Sequence, residues 1–65
     1  MAAAHQQRVI VEKEDLDKKY SALRDFVLYG SIFKSLDQAE QERLKEQLDV
    51  MWQYSEILGE RIAAF

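Results

Sequence analysis

Between Leu44 and the end of the chain, apolar side chains return at alternating steps of four and three: Leu44, Leu48, Met51, Leu58, Ile62 and Phe65, with Ser55 in the one polar place. Such steps keep a residue on one side of an α-helix and scatter it over both faces of a strand. At ~100° per residue the series projects within roughly 60° of one direction, so this half is predicted to be a single helix with a continuous apolar stripe. A sparser series precedes it: Val9, Leu16, Tyr20, Leu23 and Val27 fall within roughly 40° of one another on the same count. No proline interrupts either series, and the 65 residues contain only two glycines, Gly30 and Gly59.

The punctuation between the stripes places the boundaries. Gly30 is predicted to be a C′ residue in the left-handed conformation that ends a helix over 7–29. The segment SIFKSL carries no helical period, so 30–36 is read as a turn. Asp37 and Glu40 form an Asp-x-x-Glu capping box that opens a second helix over 37–63, with Leu36 placed to staple onto its first turns. At 1.5 Å per residue the helices would be roughly 34 and 40 Å long, matched and closely linked, which favours an antiparallel hairpin. The expected fold is all-α, one helical-hairpin domain over 1–65.

Each helix carries a second stripe. Arg43, Gln47, Val50, Tyr54, Ile57 and Arg61 lie roughly 100° to one side of the main stripe of the second helix. Arg8, Val11, Lys19, Ala22, Phe26 and Tyr29 lie to the same side in the first. In an antiparallel pair these sides merge into one face containing Val11, Phe26, Tyr29, Val50, Tyr54 and Ile57, too large an apolar patch for a soluble monomer to expose. A chain of this size also buries too little surface alone to offset its ordering entropy comfortably. A homo-oligomer is therefore expected, most simply a symmetric dimer forming a four-helix bundle, or a higher assembly of such dimers. Docking of the same face on a different host protein is the alternative.

Composition excludes most chemistry. There is no Cys and a single histidine, His5, so disulfides, thiolate sites and the usual zinc and acid–base sets are absent. Glu42, Glu46, Asp49, Gln53, Glu56 and Glu60 read as a solvated face. Their i,i+4 acid pairs lack the Glu-x-x-His of di-metal bundles. No catalytic residue, metal site or cofactor is assigned, and an enzyme is not expected. With 9 basic against 12 acidic residues the net charge is −3, which is not the footprint of a DNA-binding protein. The longest apolar runs are far shorter than the ~20 residues that span a bilayer, and MAAAHQQR has no apolar leader core. A soluble cytoplasmic protein is expected.

Hairpin register brings Arg8 level with the turn Leu58–Ile62, so Arg8 and Arg61 should converge at the open end. Tyr54 lies two turns down the same side, and an aromatic plane beside guanidinium groups suits a ligand with a base and a phosphate. Either arginine could equally serve helix ends and ion pairs, and Tyr54 could simply fill an interface. Gly59, inside a helix, implies close approach by a neighbouring helix or a ligand. Trp52 is expected near Lys13 and Glu14 in a packing or cation–π role. Tyr20 and Ser55 are expected to set register with their polar tips.

The run RVIVEKEDLDKKYSALRDFV, followed by FKSLDQAEQERLKEQLDVMWQYSEILGERI, resembles a family of very short proteins found in tailed-phage genomes, the crAss-like phages included. The pattern here is Arg8-Val9, Glu12, Leu16, Lys19, Leu23, Phe26, Phe33, Leu36, Leu44, Gln47-Leu48, Met51, Tyr54-Ser55, Leu58 and Arg61-Ile62. Asp37 stands where Ser or Thr is expected at the second cap. The resemblance implies a phage accessory protein acting in the host bacterial cytoplasm. Small oligomeric phage proteins include sponges that sequester nucleotide signals of bacterial immunity, such as cyclic oligonucleotides or cyclic ADP-ribose derivatives. On that likeness the ligand would lie among Arg8, Tyr54 and Arg61, with Gln47 and Arg43 further along the face. A helical interaction module that inhibits or adapts a host protein, and a purely structural oligomer, stay open beside it.

Overall fold

The computed structural model describes residues 3–65. Three helices follow one another: α1 (Ala4–Tyr29), α2 (Ser31–Ser35) and α3 (Gln38–Ala63). The long pair, α1 and α3, packs antiparallel as a hairpin, a rod of 47 × 15 × 13 Å. None of the described helices is long and apolar enough to cross a membrane.

α1 begins three residues earlier than its stripe implies. The Gln6 side chain reaches back to accept from the Ala3 N–H at 2.9 Å, which satisfies one of the orphan donors of the first turn. At the other end Gly30 is extended, φ −78° and ψ 128°, not left-handed, and its N–H donates to the Phe26 carbonyl at 3.1 Å. The expected C′ conformation is thus corrected. Glycine is needed because a Cβ on residue 30 would lie 2.5 Å from the Phe26 carbonyl oxygen.

The expected turn contains a helix. α2 is a single turn and a half, too short for periodicity to register, and it exists to deliver one residue. Phe33 is buried, stands edge-on to Phe26 with ring centroids 6.2 Å apart, and lies under the Lys45 ammonium at 5.9 Å. Gln41 then donates to the Leu36 carbonyl at 2.8 Å and ties the connector to α3.

Asp37 caps α3 as expected, its carboxylate accepting from the Glu40 N–H at 2.7 Å. Glu40 leaves the capping box half-made, because its side chain pairs with Arg43 at 2.8 Å. The stripe residues Leu44, Leu48, Met51, Ser55, Leu58 and Ile62 are buried or half-buried against Val9, Leu16, Tyr20, Leu23 and Val27. Phe65 lies past the end of α3 and is half-exposed, so it leaves the stripe. Among the described residues only Val9, Phe33 and Leu58 are buried, and of these Leu58 alone is fully enclosed.

Ser55 is the polar register pin that its stripe position suggested. It donates to the Asp17 carboxylate and accepts from the Lys13 ammonium at 2.7 Å, while Lys13 also donates to Asp17 at 3.0 Å. This triangle fastens α3 to two successive turns of α1.

Candidate functional site

The register follows from two contacts, Lys13 to Ser55 and the ring pair Tyr20 with Trp52. It puts Tyr54 level with the Asp15–Leu16 turn and Arg61 level with Val9. A groove of about 390 Å³ runs along that side, lined by Arg8, Val11, Glu12, Asp15, Leu16, Lys19 and Tyr54. Its charges are ordered. Arg8 and Lys19 stand about 17 Å apart along the helix axis, with Glu12 and Asp15 between them and the Tyr54 ring on the facing helix.

Arg8 and Tyr54 therefore share one groove. Arg61, Gln47 and Arg43 are not part of its lining. Arg61 stands beside it at the open end, on the same side of α3 as Tyr54. Gln47 is in contact with the Met51 sulfur at 3.8 Å, and Arg43 is held by Glu40. Lys19 was not a sequence candidate for the groove, although its spacing carried the signal. Eleven residues is three helical turns to within roughly 20°, so Lys19 repeats the direction of Arg8.

The groove opens onto the apolar face. Val11, Tyr29, Val50, Tyr54 and Ile57 are each more than 40% exposed, and Phe26 is half-buried. Val11 and Tyr54 belong to both. A second wall would have to come from outside the chain.

The remaining expectations resolve locally. The acidic face of α3 is exposed throughout, and the described residues hold no group of acids and His5 able to hold a metal ion. At Gly59 the nearest atom to an added Cβ would be the Lys13 Cε at 3.6 Å, so a flexible stem crosses there rather than a helix backbone. Trp52 meets Tyr20, with ring centroids 5.8 Å apart at 49°, and shares a smaller cleft with Lys13 but not with Glu14. The Ser55 hydroxyl and then the Lys13 ammonium, both donating to it, hold the Asp17 carboxyl below the usual carboxylate range.

A family model described as Sequestin matches residues 3–64, nearly the whole chain. No curated protein and no solved structure matches it.

Proposed function

The chain belongs to the Sequestin family, and from that membership we propose that it is a phage anti-defence protein that binds a nucleotide second messenger of bacterial immunity, of the cyclic oligonucleotide or cyclic ADP-ribose type, and withholds it without cleaving it. The family's name denotes sequestration, which is a binding activity and needs no acid, base or nucleophile.

One observation carries the reading: two cations, two carboxylates and one aromatic ring line a single groove. Phosphates fit Arg8 and Lys19, where charge-assisted hydrogen bonds are strongest. Ribose hydroxyls and base amines are donors, and Glu12 and Asp15 are the acceptors placed between the cations. A base stacks on Tyr54. Arg61, Gln47 and Arg43 extend the same side of α3 and take the parts of the ligand that project beyond the groove.

The open side of the groove is closed by a second copy in this reading. The face of Val11, Phe26, Tyr29, Val50, Tyr54 and Ile57 pairs with itself to give a four-helix bundle, and the ligand sits at the subunit junction, where water is excluded and electrostatics strengthen.

Native purification from cells with an active signalling defence, followed by mass spectrometry of the denatured protein, tests this. A stoichiometric nucleotide is expected in the wild type, lost from Arg8→Ala and Tyr54→Ala proteins that keep their oligomeric state. Empty protein from cells shown to make several such signals would overturn the reading in favour of a host-protein partner for the apolar face.

A further inference from the structure

The opposite flank of the hairpin is chemically unlike the apolar face. It is mostly polar, carrying Lys13, Asp17, Ser21, Arg24, Lys45 and Glu56, with Leu28 exposed toward the closed end and Trp52, which is 53% exposed, midway along it. Trp52 packs about half of its indole surface against the hairpin, Tyr20 included, and leaves the rest open. It stands with Tyr20 at the centre of a cleft of about 270 Å³, between the two long helices.

Antiparallel geometry orders what surrounds the rings. Arg24 lies one turn beyond Tyr20 toward the closed end, and Glu56 one turn beyond Trp52 toward the open end. The two side chains are thus attached about 12 Å apart along the axis with the aromatic pair midway. The chemistry left over at each end differs. Asp17, Lys13 and Ser55 are occupied with one another. Arg24 has only a long 3.4 Å contact with its neighbour Asp25, and Glu56 has no hydrogen-bond partner among the described residues. The cleft therefore offers a cation, a stacking platform and an acceptor in line.

We propose that the Trp52–Tyr20 cleft is a second small-molecule site, separate from the Arg8–Tyr54 groove, which takes a 5′-mononucleotide with an amine-bearing base. The ring stacks on Trp52, the exocyclic amine donates to the Glu56 carboxylate, and the phosphate meets the Arg24 guanidinium. An extended adenosine monophosphate can reach from amine to phosphate between two long side chains attached at this spacing. A guanidinium suits the phosphate end because it donates in a planar fork. The cleft, at about 270 Å³, is just below the usual range of ligand-site volumes, with room for no more than one nucleotide.

Trp52 is the only tryptophan, so its emission reads this cleft directly. Titration of the full chain with adenosine monophosphate should give saturable quenching. Adenosine, which lacks the phosphate, should bind about tenfold more weakly, the effect of losing one charge-assisted hydrogen bond. Inosine monophosphate, which lacks the amine, should also be weaker. Arg24→Ala, at an exposed position, should remove the advantage of the monophosphate over adenosine, and Glu46→Lys, on the exposed acidic face, should leave the titration unchanged. A flat titration of protein shown by circular dichroism to be helical would overturn the proposal. So would equal affinity for the three compounds, or an undiminished preference for the monophosphate in Arg24→Ala. Co-purified messenger is read through Arg8 and Tyr54, so either site can fail without the other.

Discussion

The two glycines show how differently one residue type can be required. At Gly30 a Cβ would collide with a backbone carbonyl that cannot move without opening the last turn of α1, whereas at Gly59 it would touch only the flexible stem of Lys13 at ordinary contact distance. Gly59→Ala should therefore stabilise the protein by about 0.5–1 kcal/mol through helix propensity. Gly30→Ala should destabilise it by about 1–3 kcal/mol, the range for forced overpacking. Urea denaturation of the two variants checks both signs, and destabilisation by Gly59→Ala would reveal a closer neighbour at that turn. Asp17 makes the other residue-scale prediction. Its carboxyl is held below the ordinary value, first by Ser55 and then by Lys13. The charged form is favoured in the folded state, so its contribution is complete above the unfolded value near ~3.9 and is lost as pH falls through the lower folded value. Wild-type stability should drop between neutral pH and the acid range, and Ser55→Ala should reduce that drop. An unaltered acid dependence in Ser55→Ala would show that other carboxylates govern it.

Among the elements, α1 and α3 were legible because each carries a stripe long enough to fix a period, and Asp37 marked the start of α3 with a cap that the structure retains. α2 was not legible. Five residues hold one buried side chain, and one point has no period. Lys19 was not legible as a groove residue for a different reason: its spacing put it on the Arg8 side of α1, but a groove is formed between helices while a pattern is read along one of them. The register pin at Ser55 was the exception: a polar residue in an apolar series needs a partner across the interface, and Asp17 and Lys13 supply it. What α2 does by way of Phe33 can be measured. Truncation to alanine removes a buried aromatic that packs on Phe26 and carries Lys45 above it. Phe33→Ala should cost about 3–5 kcal/mol, enough to melt a chain with three buried residues, and circular dichroism should show loss of helicity at 25 °C. Retention of full helicity would mean that the connector merely spans the helices.

For the whole molecule, surface area sets the terms. One chain exposes 5013 Å², where a compact protein of its mass exposes about 4,300 Å². Its radius of gyration is 14.7 Å, against about 11 Å for a compact 65-residue domain. Two separate chains expose about 10,000 Å² and a compact dimer of the doubled mass about 7,100 Å², so closing to that density would bury about 2,900 Å², within the range of obligate homodimers. The face that could supply this area holds Val11, Val50, Tyr54 and Ile57, each half-exposed and contiguous across the two long helices. In a two-fold interface every residue appears twice, so one introduced charge is desolvated in both copies and meets its own repeat in symmetric surroundings. Val50→Glu should therefore reduce the light-scattering mass to that of the single 7.6 kDa chain and lower helicity with it, because the hairpin has little core of its own. Glu46→Lys, on the exposed acidic face, should leave both quantities unchanged. A wild-type protein that is fully helical and monomeric at micromolar concentration would overturn the assembly and, with it, the second wall of the Arg8–Tyr54 groove.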